Sequence, residues 1–241
     1  MNRTVIAETV RRHVTSVAYG TYVALLAIIA LGVSTFDRPG AVWPSLVFLL
    51  AVVAGCGPIG PEFSSGTLQL ILVKPVTRAA YLLSRVVGVV AAVWMATLVA
   101  AFCELAGRTF WGEGAVPWRA ILAALVSSGA DTILTVSLLV LLGSITRAYF
   151  NVAIYLAVMF GLSMTSVVLG MVRASRNALG RFLNEHIAIE RALEVIDRNL
   201  FPEIPPRLDP EWLLVVLSNA AVALVLACLA FRRREVPYGA D

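Results

Sequence analysis

Two histidines, His13 and His186, and three cysteines, Cys56, Cys103 and Cys228, are the metal-binding and soft nucleophilic groups of this 241-residue chain. Nothing pairs the histidines at ligand spacing, so no Ser-His-Asp or metal constellation can be assembled from them. The cysteines lie in or beside apolar runs with no C-x-x-C spacing, as small buried hydrophobes do, which argues against a disulfide framework or zinc site. No Gly-x-x-x-x-Gly-Lys-Ser/Thr loop occurs; the glycines from Gly55 to Gly60 come without a lysine and read as the turn that ends a helix. The expectation is a chain that is not catalytic by itself. One ionisable group remains, Asp131, deep in an otherwise apolar run. A carboxylate at bilayer depth costs about 2.5–3.5 kcal/mol on insertion scales, so it should face a helix bundle or a water-filled path. Ser127, Ser128, Thr132 and Thr135 lie within a turn and could solvate it. Two readings stay open: a buried Asp that fixes packing, or a group lining a translocation path.

The elements that would position these groups follow from composition. The chain is 59% hydrophobic and 14% charged, with mean hydropathy +0.86. A soluble domain carries about a quarter charged residues, and this apolar surface exceeds what a core of this size encloses. An all-α membrane protein is expected, one transmembrane domain over residues 1–241. Its six spans fall at about 14–36, 43–59, 81–105, 120–146, 148–172 and 212–231. Residues 3–13 read as an interfacial amphipathic helix, with Ile6, Val10 and Val14 on the apolar stripe. A cleaved signal peptide competes for the first run, but the run is long and five more spans follow. Asp37-Arg38-Pro39-Gly40 and residues 107–117 read as turns. Ser218 and Asn219 in the last span suit interhelical hydrogen bonds.

Residues 173–211 differ, with six arginines and seven acidic residues. Ile189, Leu193, Ile196 and Leu200 recur there at helical spacing, before Pro202, Pro205, Pro206 and Pro210. Basic residues set the orientation. With the N-terminus inside, the short cytoplasmic segments hold ten: Arg3, Arg11, Arg12, Lys74, Arg78, Arg85, Arg147 and Arg232 to Arg234. The outer loops hold three, Arg38, Arg108 and Arg119. Both termini are then cytoplasmic, and 173–211 is an external helical segment whose arginines run against the rule. Trp43, Trp111, Trp118 and Trp212 would mark the outer interface as an aromatic belt. The net charge of +4 and pI near 9.2 sit at the ends of apolar runs, which fits headgroups and not nucleic acid.

The one charged interruption between long apolar runs is Glu62 to Arg85, EFSSGTLQLILVKPVTRAAYLLSR. Gly66 and Pro75 bound a short apolar set, Leu68 to Val73, too short to span a bilayer. It is expected along a membrane face, with Lys74, Arg78 and Arg85 at the headgroups; a buried re-entrant hairpin is the alternative. Four steps in register, Glu62, Gly66-Thr67-Leu68, Lys74-Pro75-Val76-Thr77-Arg78 and Tyr81-Leu82-Leu83-Ser84-Arg85, resemble the ABC-2 family of transporter permeases. The close resemblance covers about a tenth of the chain; the remainder matches in length and helix count. It implies a permease subunit that works as a dimer, with a second copy or a paralogue, and rests on separate ATP-binding subunits that hold ATP and magnesium. It implies export across the cytoplasmic (inner) membrane. It also implies a cytoplasmic coupling helix, with Glu62, Phe63, Gly66, Thr67 and Leu68 as the ATPase contacts. Glu62 could equally cap a helix start, where the dipole favours a carboxylate.

Two other classes remain: a self-sufficient secondary transporter using Asp131 as coupling carboxylate, and a non-transporting scaffold working through its external segment. Against the first, no inverted repeat is visible and only one deep charge is present. A neighbouring reading frame for an ATP-binding subunit separates both from the permease reading.

Overall fold

The structure, a computed structural model, describes residues 1–33, 42–57, 77–111, 117–146, 150–174, 195–196, 200 and 209–233. Its main elements are α1 (Arg3–Val14), α2 (Val17–Val33), α3 (Trp43–Cys56), α4 (Arg78–Trp111), α5 (Trp118–Ile145), α6 (Phe150–Ala174) and α7 (Pro210–Arg233). The described residues contain no strand. Local chemistry sets several ends. Asn2 caps α1, its side chain accepting from the Thr4 amide at 3.0 Å, while Arg11, Arg12 and His13 occupy the last turn, where the helix dipole favours cations. Asp209 Oδ1 accepts from the Glu211 amide at 3.0 Å at the start of α7, which ends on Arg232 and Arg233. Pro44 sits in the first turn of α3, where its missing N–H costs nothing.

Three helices, α4, α5 and α7, are long and apolar enough to cross a membrane, or four if α1 and α2, which meet at 68°, count as one broken span. The described part of α3 has 14 residues, about 21 Å at 1.5 Å per residue, and is shorter than a hydrocarbon core of about 30 Å. The expected second run extended to residue 59, and residues 58–76 lie outside the description. At 34 residues, α4 is longer than the expected 81–105. It runs through Glu104 and Arg108 to Trp111, so the turn expected from residue 107 is helix as far as Trp111. The two charges do not break it because they pair with each other along the helix.

The chain divides into two packing units, residues 1–152 with 204–241, and residues 153–203. In the second, the described residues belong mainly to α6, whose Val158, Phe160 and Met164 are exposed. In the first, α4 and α5 are central, with α1, α2 and α3 against α4, and α3 and α7 against α5. Hydropathy alone does not decide what turns inward, and a row of small residues marks part of the inward face. Along α4, Gly88, Ala92, Ala96 and Ala100 are buried at four-residue spacing, while Met95, Leu98, Val99 and Phe102 are exposed. In lipid no hydrophobic drive separates the faces, and small residues let backbones approach, so large apolar side chains are left for the acyl chains. α7 repeats the pattern with Ala220, Ala223 and Ala227 inside and Leu214, Leu217 and Val225 outside.

Candidate functional site

The residues that carry the coupling expectation, Glu62, Phe63, Gly66, Thr67 and Leu68, lie outside the described residues, as do Lys74 and Arg147. The described chain resumes at Thr77, and the start of α4 shows what the far end of that stretch does. Arg85 does not reach for headgroups, as the sequence suggested. It is 6% exposed, its Nε donating to the Tyr81 hydroxyl at 3.0 Å and its Nη1 to Thr9 Oγ1 at 3.1 Å. The guanidinium also lies over the Tyr81 ring, 5.6 Å from its centroid. The Asn2 amide donates to Ser84 Oγ at 2.8 Å, which binds the first residues of α1 to the same turn.

This arrangement depends on Gly88. A Cβ there would stand 2.6 Å from Thr9 Cβ and 3.2 Å from the Ile6 carbonyl oxygen, so the absent side chain is what lets α1 lie on α4. On the apolar stripe of α1, Ile6 and Val10 are half-buried. Thr9 is the buried centre of the helix and Val14 is exposed, because the partner surface offers an arginine to be satisfied rather than an apolar groove. Two tyrosines fasten α2 in the same way. Tyr19 donates to the Ala92 carbonyl and Tyr22 to the Leu46 carbonyl, each at 2.6 Å. Between the α1–α2 elbow, the end of α3 and the start of α4 lies a cavity of about 380 Å³.

A second polar cluster stands near the other end of α4. Glu104 is fully buried, accepting from Trp43 Nε1 at 2.6 Å on one carboxylate oxygen and from Arg108 Nε at 3.0 Å on the other. Trp43 is therefore not a lipid-facing member of the aromatic belt: its ring is buried, and its N–H is spent on Glu104. Trp111 and Trp118 do expose their rings. Arg85 and Glu104 are 19 residues apart with no charge between them, about 28 Å along the helix. That distance is close to the hydrocarbon thickness of a bilayer.

Asp131 occupies the middle of α5. Three of the neighbours expected to solvate it behave otherwise. Thr132 turns its hydroxyl back onto the Ser128 carbonyl at 2.8 Å, and the buried hydroxyls of Ser127 and Ser128 find no partner among the described residues. Nearby, Trp94 Nε1 donates to the Gly129 carbonyl at 3.2 Å, and a Cβ on Gly129 would stand 2.4 Å from the Trp94 ring. Asn151 joins α3 to α5, its amide donating to the carbonyls of Cys56 (3.3 Å) and Leu139 (3.2 Å). Sequence reasoning passed over Thr9, Tyr19, Tyr22, Gly88, Glu104 and Asn151. The spaced small residues of α4 were the available signal for Gly88. Among the described residues, no group of three or more His, Cys, Asp or Glu is placed to hold a metal.

No curated relative matches the chain. A family model described as ABC-2 family transporter protein matches residues 10–236, nearly the whole length. With that coverage, and helices apolar enough to cross a bilayer, this membrane protein belongs to the ABC-2 family of transporter permeases.

Proposed function

We propose that this chain is the membrane subunit of an ATP-driven exporter in the cytoplasmic membrane, working as a dimer on separate ATP-binding subunits. The family match over residues 10–236 carries the reading, since the sequence has no phosphate-cradling loop of its own and a permease needs an engine. In this reading the chain is not an enzyme; ATP and magnesium are held by the partner. Six spans place both termini inside and residues 173–211 outside. The stretch from Glu62 to Leu68 then faces the cytoplasm as the coupling element, contacting the ATPase through Glu62, Phe63, Gly66, Thr67 and Leu68. Asp131 belongs to helix packing. The test is capture: the affinity-tagged chain, solubilised from its native membrane, should bring down a protein with a Gly-x-x-x-x-Gly-Lys-Ser/Thr loop. Recovery of the chain with no such partner, under conditions that keep its own dimer, would contradict the proposal.

A further inference from the structure

Ser127 and Ser128 of α5 are 0% and 1% exposed, and neither hydroxyl has a hydrogen-bond partner among the described residues. A serine inside a helix ordinarily turns back onto a carbonyl of the preceding turn. Ser84, Ser137 and Ser144 do so here at 2.6 Å each, and Thr132 at 2.8 Å. Ser127 and Ser128 leave that bond unmade. Half-buried Asp131 stands four residues after Ser127 and three after Ser128, so it neighbours both at helical spacing, with Cβ atoms about 5–6 Å apart. Neither hydroxyl bonds to its carboxylate. A third group of this kind comes from α7. Val216 and Ala220 pack with Ala130 and Leu134, and further along Ala227 and Phe231 join Val136 and Val140, so α5 and α7 run in the same direction. Trp212, one turn before Val216, packs on the Ala130 patch and so stands at the level of Ser127, three residues before Ala130. Its Nε1 is buried and likewise has no partner among the described residues.

We propose that this junction of α5 and α7 is a binding site for resident water, which bridges the Asp131 carboxylate to the hydroxyls of Ser127 and Ser128 and accepts the Trp212 N–H. A buried polar group left unmet destabilises a fold, and three of them gathered on one helix pair point to a shared partner rather than to separate defects. The donor and acceptor types select that partner. An indole N–H only donates and an ionised carboxylate only accepts, so a cation would suit Asp131 and oppose Trp212, and an anion would do the reverse. Water does both, makes about three hydrogen bonds when buried, and spans gaps too wide for a direct bond. In this arrangement Asp131 serves helix packing as a hydrated group, in keeping with the role given to it above, and no ATPase, substrate or second chain is needed.

The experiment uses the purified full-length chain in a neutral detergent. It reads the SDS unfolding equilibrium and, by NMR, the transfer of magnetisation from water to the indole N–H protons, with Trp212→Phe assigning the Trp212 signal. Ser127→Ala and Ser128→Ala should each shift the equilibrium about fivefold towards the unfolded state, the loss of about one hydrogen bond. In an Asp131→Leu background Ser127→Ala should lose that effect, because the bridge has already lost its far end. An unmet hydroxyl predicts the opposite sign, since its removal is neutral or stabilising, and that result would overturn the site. An equal loss with and without the Asp131 carboxylate would overturn it too. The Trp212 Nε1–H should receive magnetisation from water, and Trp43, whose N–H is held by Glu104, should not. A silent Trp212 would overturn the site, and this readout decides alone if Asp131→Leu does not fold. Stabilisation by sodium chloride that choline chloride does not reproduce would put a cation in place of the water and overturn the assignment. No readout needs an ATPase, so failure here leaves the proposed function standing, and the reverse also holds.

Discussion

Replacing Gly88 by Ala adds one methyl group to the most crowded point between α1 and α4. The new Cβ would meet Thr9 Cβ at 2.6 Å and Thr9 Cγ2 at 2.8 Å, with the Ile6 carbonyl oxygen at 3.2 Å. A backbone oxygen cannot step aside as a flexible side-chain end can, so α1 itself must move. Overpacking of this kind costs about 1–3 kcal/mol, against a gain of up to about 1 kcal/mol for Ala over Gly inside a helix. The net expectation is a loss of about 0–3 kcal/mol, and more where the shift also opens the Arg85–Thr9 and Asn2–Ser84 bonds. Gly20→Ala is the matched control: nothing lies within 4 Å of its Cβ position, so it should gain up to about 1 kcal/mol from propensity alone. The assay is SDS-driven unfolding of the purified protein. Alongside it, Val5→Cys on the inner face of α1, in a background without Cys56, Cys103 and Cys228, reports docking through thiol labelling. It should be protected, and should label readily once Gly88→Val is added. Equal stability of Gly88→Ala and Gly20→Ala, with Val5→Cys protected throughout, would refute the close approach of α1 and the role given to Gly88.

Three further outcomes are expected. Glu104→Ala removes the carboxylate that Trp43 and Arg108 share and should destabilise by about 3–5 kcal/mol, whereas Trp43→Phe should cost about 1.5–3 kcal/mol; SDS unfolding measures both, and near-neutral values would deny the cluster its role. Asp131→Asn should keep fold and transport, because an amide preserves volume and hydrogen bonding; intact ATP hydrolysis with export lost would instead put the carboxylate on the path. Asn199→Cys, in the same cysteine-free background, should react with an impermeant thiol reagent in intact cells, and labelling only after lysis would invert the topology.

The sequence was most legible where periodicity and run length decide. α1 ends one residue beyond the amphipathic segment expected for it, and α5 and α7 agree with their runs to within two residues at each end. It was least legible where a charge sits at the end of an apolar run. Such a charge reads as a headgroup ligand, yet Arg85 turns into the protein because Thr9 and Tyr81 wait there. Likewise Glu104 stays inside a helix because Trp43, 61 positions away, and Arg108 satisfy it. Tyr81 and Arg108 stand at local helical spacing, four residues off, but Thr9 and Trp43 cannot be read from it. The face that α1 turns to α4, centred on Thr9, was not legible for a related reason. Hydropathy identifies what avoids water, and beside lipid it does not tell an inward face from an outward one; the small residues of α4 do. For the coupling residues, Glu62 to Leu68, the four-step motif remains the ground.

The central claim is that this permease turns over through a separate ATPase coupled by that motif. It is tested most directly by the ATP hydrolysis rate of the permease–ATPase complex in liposomes, with and without transported substrate. The wild-type complex should hydrolyse faster when substrate is present. Glu62→Ala and Gly66→Val should insert normally but abolish that stimulation. Stimulation at wild-type strength in both variants, with the ATPase bound as before, would contradict the account.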